Sequence, residues 1–376
     1  MSNPSTSDPT RARDINVLAV LDVLRGEGSS TRAGIARSTG LSAPTISEVV
    51  SDLVAAGVVR QAGQGPATGG RRGGLVELIP ASYVVAALDL SARRPLLAHV
   101  DLCGELVESS IVRVPRRALT TPAALVRWLG ELDTDGRVLG IGVAVPGVTD
   151  PAAGRIEWSP RYGWRDVALR DLLVAAGAIG TVLVENDLNL AAVGEHAASG
   201  DGSQNMAMLG LRGGLGAGLI VGGHLYHGSH HAAGEVGYLA TSARPVGSSR
   251  EFGPLEKAVF DELRRAGLAD EGALQLVDEE ALPTPLAAGS ADVLEDLIFQ
   301  AALALATVLD PEHIVLGQEL TALVPHLPGA LQDRLDPLLP HTPSIVASQL
   351  GELASLRGAG IATLRELAPS FRRLLS

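Results

Sequence analysis

Residues 30–60 read STRAGIARSTGLSAPTISEVVSDLVAAGVVR. The stretch divides into two short helices around a tight turn. Ser30 is a suitable N-cap for a helix over Thr31–Thr39, and Gly40 stops it. Ser42 caps a second helix, whose first turn accepts Pro44 because the N–H that proline lacks would be unpaired there. Ile46, Val49, Val50 and Leu53 recur at i, i+3, i+4 and i+7 and form one buried stripe. Ser42, Ala43, Thr45, Ser47 and Glu48 then lie off the stripe near the N-terminal end, the part of a recognition helix that enters the major groove. Working outward, Ile15, Leu18, Leu21 and Leu24 give an apolar face to a helix over Asp14–Arg25, which Gly26 and Gly28 end. On the other side, Val58–Arg60 and Leu75–Leu78 can pair as a hairpin with a tip at Gly69–Gly74. Arg71 and Arg72 in that thin tip suit a narrow, electronegative minor groove. The expectation is a winged helix-turn-helix over residues 1–79 that binds double-stranded DNA through Ser42, Ala43, Thr45, Ser47, Glu48, Arg71 and Arg72.

The net charge of −12 hides an asymmetry. Residues 1–75 hold eight arginines against six acidic residues, whereas the remainder holds 22 basic against 36 acidic residues. Only the N-terminal part tolerates a phosphate backbone, and it is weakly basic. Useful affinity then needs several DNA-binding units acting together, as in a homodimer or homotetramer on a two-fold symmetric operator. A chain of 376 residues with 46% hydrophobic content has room for two or three domains. No apolar run approaches membrane-spanning length, and Asp8, Arg11, Arg13 and Asp14 stand where a signal peptide needs an apolar core. A single cysteine, Cys103, precludes an internal disulfide framework and fits a reducing cytoplasm.

From Tyr83 the pattern changes to short apolar strands. Tyr83–Leu90, Pro95–Asp101 and Glu105–Arg113 form a meander. A helix over Ala123–Leu132, strand Val138–Val145, a helix over Asp166–Ala176, strand Thr181–Glu185 and a helix over Leu190–Ala198 follow. A second unit runs through strands Met206–Leu211, Gly216–Val221 and His224–His227 and helices Leu255–Ala266 and Ala291–Leu309. It continues with strand His313–Leu316, another helix, strand Ser344–Gln349 and a last helix over Glu352–Leu367. The recurrence of one α/β unit predicts two lobes with a cleft between them, and the loop-rich stretch Gly267–Ser290 reads as an insertion or lid.

Four segments carry a resemblance. They are Gly140-Ile141-Gly142-Val143-Ala144-Val145-Pro146-Gly147, Val184-Glu185-Asn186-Asp187-Leu188-Asn189, the glycine-rich run over 213–223, and Ala232-Ala233-Gly234-Glu235-Val236-Gly237. In this order and spacing they resemble the ROK family of repressors and sugar kinases, and the helix-turn-helix in front resembles its repressor branch. The resemblance spans about Ile15 to Ala368. It implies an α/β protein, a winged helix-turn-helix followed by a two-lobed actin-like (ribonuclease-H-like) sugar kinase fold over 80–376. Lobe 1 would span about 80–189 plus the C-terminal helix, and lobe 2 about 190–350. In the kinases an aspartate of the Glu-Asn-Asp segment takes the proton from the attacking sugar hydroxyl. That position here is Asp187, with Asn186 as a neighbouring amide able to donate and accept. Similarity also carries sugar contacts onto Glu235 and Glu256, and Gly147 lets backbone approach the ligand.

The departures point away from catalysis. The kinases carry an Asp-x-Gly-Gly-Thr phosphate turn, whereas here Asp89 is followed by Leu90-Ser91-Ala92-Arg93-Arg94. Leu211-Arg212 stands where the second phosphate loop offers a threonine, and Leu316-Gly317-Gln318 replaces a Gly-Gly ending. The family's structural zinc cluster is expected to be lost. Tyr238 stands at its histidine, and Ser242–Phe252 contains no cysteine, so a tetrahedral site cannot be completed. His224, His227, His230 and His231 cluster locally without the spacing of a metal site, and read better as polar residues at the cleft mouth. No cofactor and no enzymatic activity are expected. The predicted function is a transcriptional regulator, acting as a repressor, controlled by a sugar or sugar derivative between the lobes. The alternative is a ROK-type ATP-dependent sugar kinase with an appended DNA-binding domain.

Overall fold

The computed structural model describes residues 9–64, 73–91, 94–132, 136–177, 180–212, 214–240, 253–269 and 283–375. The N-terminal unit contains helix α1 (Pro9–Glu27), strand β1 (Ser29–Thr31), helices α2 (Arg32–Thr39) and α3 (Ala43–Ala55), and strands β2 (Val59–Gln64) and β3 (Gly74–Leu78). The strands form a sheet in the order β1-β3-β2. Ile46, Val49, Val50 and Leu53 are buried as the spacing predicts, and Ser42 caps α3 by accepting from the N–H of Thr45.

Two local expectations are corrected. Ser30 does not cap α2; it pairs with Val76 in β1–β3, and Thr31 is the cap, its hydroxyl accepting from Gly34 N–H at 3.0 Å. Ile15 is 59% exposed, and the buried face of α1 runs through Val17, Val20, Leu21 and Leu24. The helix is apolar around more than one face, and the core takes the side centred on Val17, Val20, Leu21 and Leu24, with Leu18 and Val23 at its margins and Ile15 left outside.

The first lobe holds β4 (Val84–Asp89), β5 (Leu96–Asp101), β6 (Leu106–Arg113), α4 (Pro122–Gly130), β7 (Val138–Val145), β8 (Val148–Asp150), β9 (Arg155–Ser159), β10 (Trp164–Val167), α5 (Leu169–Ala175) and β11 (Thr181–Asn186). Its main sheet has the order β11-β7-β4-β5-β6, and β8–β10 form a small antiparallel sheet that sequence patterning missed. The expected helix over Asp166–Ala176 gives up its start to β10. Helix α6 (Asp187–Ser199) leads into the second lobe, starting three residues before Leu190 because Asn186 caps it.

The second lobe holds β12 (Met206–Leu211), β13 (Leu215–Val221), β14 (His224–Leu225), α7 (Pro254–Arg265), α8 (Ala288–Leu309), β15 (His313–Leu316), α9 (Gln318–Leu323), α10 (Leu327–Leu335) and β16 (Ser344–Ala347). Its sheet order, β14-β13-β12-β15-β16, repeats that of the first lobe. In each, three antiparallel strands are followed by two parallel ones. The chain ends in α11 (Ala354–Arg365), within the expected last helix Glu352–Leu367, and in a further short helix, α12 (Ala368–Leu374), that sequence patterning missed. Most of the stretch Gly267–Ser290 lies outside the described residues.

Helices α6 and α11 cross between the two sheets in backbone contact. A Cβ on Gly358 would lie 1.7 Å from the carbonyl oxygen of Leu190, and one on Gly194 would lie 2.3 Å from that of Ala354. No larger residue allows that approach. The DNA-binding unit shares one continuous apolar core with the first lobe and the C-terminal helices, joining Leu21 and Val50 to Leu102 and Phe371. Polar ties reinforce the junction: Arg25 Nε donates to Leu102 O at 2.8 Å, Tyr83 Oη donates to Ala56 O at 3.2 Å, and Arg372 pairs with Asp14.

Candidate ligand cleft and DNA-binding surface

At the start of α3, Ser42, Ala43, Ser47 and Glu48 are exposed, and Thr45 is half-buried with its hydroxyl 2.8 Å from that of Ser42. Four of the five predicted contact residues on this helix are therefore free to face a groove. Arg71 and Arg72 lie outside the described residues. The hairpin beneath them is described: β2 and β3 pair with an irregularity between Gln61 and Gln64, and Arg60 Nε donates to Glu77 Oε1 at 2.7 Å.

Between the lobes, Gly147, Asn186 and Glu235 line one small cavity of about 30 Å³, together with Asn189, Gly234 and His231. Asn186 is central to it. Its Oδ1 accepts from the N–H groups of Leu188 and Asn189 at 2.9 and 3.1 Å, which caps α6, and its Nδ2 donates to Gly147 O at 2.9 Å. Gly147 has φ of +135°, and a Cβ there would lie 2.2 Å from the carbonyl oxygen of Trp158. Glu235 sits exposed at the rim, where partial desolvation pushes its carboxyl above the usual range.

Asp187 and Glu256 lie outside the wall of this cavity. Asp187 is 2% exposed with one carboxylate oxygen unpartnered, and burial pushes it up to about 7, against the pull of Arg212 and with the help of Asp89. Glu256 is buried and accepts from Leu215 N–H at 3.0 Å; burial pushes its carboxyl to about 7 as well. Burial thus holds both carboxyls beneath the cleft close to neutrality.

Two histidines close the cleft. His227 Nε2 lies 2.6 Å from Oε2 of the buried Glu185, whose Oε1 accepts from Asn186 N–H and Asn189 Nδ2. His231 Nε2 lies 3.8 Å from Asp150, its Nδ1 is buried without a partner, and the two imidazoles meet edge to face at 5.7 Å. Both histidines belong to the second lobe and both acids to the first. Sequence reasoning noticed the histidines and missed this task, because their partners lie far away in the chain. Among the described residues no group of three or more His, Cys, Asp or Glu side chains is placed to hold a metal. The stretch 242–252 lies outside the described residues.

On the other side of Asp187 a cation is seated. The guanidinium of Arg212, 3% exposed, donates to Ser355 Oγ at 2.6 Å and to Gly351 O at 3.0 Å, and lies 3.6 Å from Asp89 and 3.8 Å from Glu319. Asp89 is fully buried and bonds to the hydroxyl and N–H of Ser91. Arg161 donates to Ser91 O at 2.8 Å and packs this turn down. Arg212 is on the turn after β12 and Asp89 ends β4, so the pair ties lobe to lobe at the turns where the kinase pattern would place phosphates.

Comparison with known proteins matches residues 86–366 to the model described as the ROK family and residues 13–60 to winged helix-turn-helix DNA-binding. A xylose repressor of Caldicellulosiruptor bescii is 27% identical over 239 residues, 61% of this chain and 59% of that protein. The chain thus spans about three fifths of the length of that relative. A glucokinase of Halalkalibacterium halodurans is 31% identical over 160 residues, 40% of this chain and 48% of that protein. The crystal structure of a ROK family transcriptional regulator, described as a homolog of the E. coli MLC protein, superposes with a TM-score of 0.73 at 19% identity, covering 97% of this chain and 98% of that one.

Proposed function

The chain belongs to the ROK family, and on that premise we propose that it is a DNA-binding transcriptional regulator, acting as a repressor, whose hold on DNA is set by a sugar or sugar derivative between its lobes. The observation that carries a regulator over a kinase is the seat of Arg212. A buried guanidinium already stands within ion-pair range of Asp89 and Glu319 at the nucleotide side, so a triphosphate would have to displace an internal cation and bring its own charge against two buried carboxylates.

The sugar side supports a switch. A cavity of about 30 Å³ has room for one or two waters, so a sugar enters only when the lobes part. Entry competes with the His231–Asp150 and His227–Glu185 contacts and offers hydroxyls to Asn186, Glu235 and His231 in return. Asp187 and Glu256 become sugar contacts only in that opened form. The lobe movement reaches DNA because α1 is docked on the first lobe through Leu102 and on α12 through Asp14. In a dimer, a change in lobe angle alters the spacing of two recognition helices, which must match half-sites about one DNA turn apart or a multiple of it. Coupling of ~1–3 kcal/mol is typical of such switches.

No metal is required: the chain offers Tyr238 and no cysteine through Phe252 where zinc ligands would stand. Among the described residues no helix is long and apolar enough to cross a membrane, in keeping with a cytoplasmic regulator. The relative's name makes an aldopentose the first effector to test. The test is selection of a duplex by the purified protein, then calorimetry of free and phosphorylated aldopentoses and aldohexoses with and without that duplex. One observation favours the alternative, an ATP-dependent sugar kinase. Burial pushes the Asp187 carboxyl up to about 7, where a general base works well. Sugar-dependent ATP turnover lost in Asp187→Asn would establish it.

A further inference from the structure

A second cleft, remote from the one between the lobes, lies where the DNA-binding unit meets the effector domain. Its volume is about 730 Å³, within the range of sites for small organic molecules. One wall is the last turns of α1, with Asp22 and Arg25. The facing wall is α11, with Arg357, Ile361, Leu364 and Arg365, and the turn between β5 and β6 supplies Cys103 and Glu105.

The charges there do not balance. Asp22 is taken by Arg25 Nη1 at 2.5 Å and Glu105 by Arg357 Nη2 at 2.5 Å. Arg365 is exposed and makes no hydrogen bond or ion pair with the described residues. Arg25 Nη2 is buried without a partner although its Nε is used by Leu102 O, and a buried donor left unpaired is costly. Burial depresses Arg25, its paired Asp22 acts against that, and the charge of Arg365 adds a smaller depression; the three arginines Arg25, Arg357 and Arg365 thus line one cleft with only two carboxylates, Asp22 and Glu105. In a chain of net charge −12 this is an unusual local excess of cation.

We propose that this cleft binds a small organic phosphate, its dianionic head bridging Arg25 and Arg365 and its body lying on Ile361 and Leu364. Guanidinium forks suit phosphate oxygens geometrically, and a dianion with three free oxygens offers two of them more charge and more acceptors than a carboxylate. The bound molecule would tie the first helix of the DNA-binding unit to the helix that covers the first-lobe sheet. The inference stands independently of the sugar cleft.

Cys103 lines the cleft, is exposed and is the sole cysteine, so its alkylation by iodoacetamide reports this place alone. In the full-length protein, glucose 6-phosphate is expected to slow alkylation saturably, inorganic phosphate to do so more weakly, and glucose or matched sodium chloride to have no effect. Arg365→Gln, which breaks no contact, should weaken protection about tenfold, equivalent to about 1.4 kcal/mol. Asn186→Ala, which disables the proposed sugar cleft, should leave it unchanged. Absence of protection, equal protection by chloride, protection indifferent to Arg365→Gln, or protection lost in Asn186→Ala would each overturn the assignment.

Discussion

The imidazole of His227 donates from Nε2 to Oε2 of Glu185 at 2.6 Å, a hydrogen bond from the second lobe to a buried acid at the end of the first lobe's edge strand. A carboxylate can only accept, so the proton belongs to the histidine. The same Glu185 fixes Asn186 and Asn189, the polar wall of the sugar cleft. Lobe closure and ligand geometry therefore share one carboxylate.

Stability should fall as pH rises through neutrality. The hydrogen bond to Glu185 raises the pKa of His227 above its ordinary value. That contribution is present in full below about pH 6.5, the unfolded imidazole value, and fades as pH rises through the folded one. Burial raises Asp187 and Glu256 to about 7, so the folded chain holds protons that the unfolded chain releases, which has the same sign. Thermal melts from pH 5 to 8.5 should show a declining Tm. His227→Gln and Asp187→Asn should each flatten the decline; a Tm rising over that interval would contradict the assignment.

Asn186 should separate capping from ligand positioning. Asn186→Ala removes the α6 cap and the bond to Gly147, for a loss of about 1–2 kcal/mol in urea denaturation, and should abolish sugar binding. Asn186→Asp keeps a capping oxygen but lacks the Nδ2 donor, so it should lose less stability and still bind sugar weakly. Sugar affinity unchanged in both would remove Asn186 from the cleft.

Much of this was legible in the chain, and the failures have physical causes. The stripe Ile46–Leu53 and the caps at Gly40 and Ser42 are local, and the structure reproduces them. Strands such as β7, β12 and β15 were legible because buried parallel strands are continuous apolar runs. The small sheet β8–β10 was not, since three short strands with Gly154 and Gly163 in their turns resemble loop. Ile15 misled because α1 carries two overlapping apolar stripes, Ile15-Leu18-Leu21 and Val17-Val20-Leu24, and periodicity alone does not say which one the core takes. At the site, Gly147, Asn186 and Glu235 line one cavity from both lobes and were named by their motifs, whereas His227, His231 and Arg212 carry no motif and their partners come from the other lobe or from the chain terminus. Pairings over such separations leave no periodic trace.

Arg212 should be structural. Arg212→Met removes a buried cation beside Asp89 and Glu319, and breaking such a pair costs about 3–5 kcal/mol. Urea denaturation should show a loss of that order, and the variant should gain no ATP hydrolysis. A loss below about 1 kcal/mol would mean that water, and not Arg212, satisfies the carboxylates.

Recognition by α3 should rest on few side chains. Ser42→Ala deletes the cap to Thr45 N–H and should cost about 1 kcal/mol of stability with weaker DNA binding. Glu48→Gln should leave stability unchanged and alter base preference in a selection experiment, since a carboxylate accepts from cytosine and an amide can also donate. Replacing Arg71 and Arg72 with alanine should weaken binding and flatten preference for narrow-groove sequence at the wing. An unaltered operator preference in all three variants would place recognition elsewhere.

The most direct test titrates sugar into the protein free and bound to its selected duplex, by calorimetry. If lobe angle couples the two sites, the factor by which DNA changes sugar affinity must equal the factor by which sugar changes DNA affinity, and Asn186→Ala should erase both. Equal sugar affinity on and off DNA, or no sugar binding at all alongside sugar-dependent ATP turnover, would contradict the coupling.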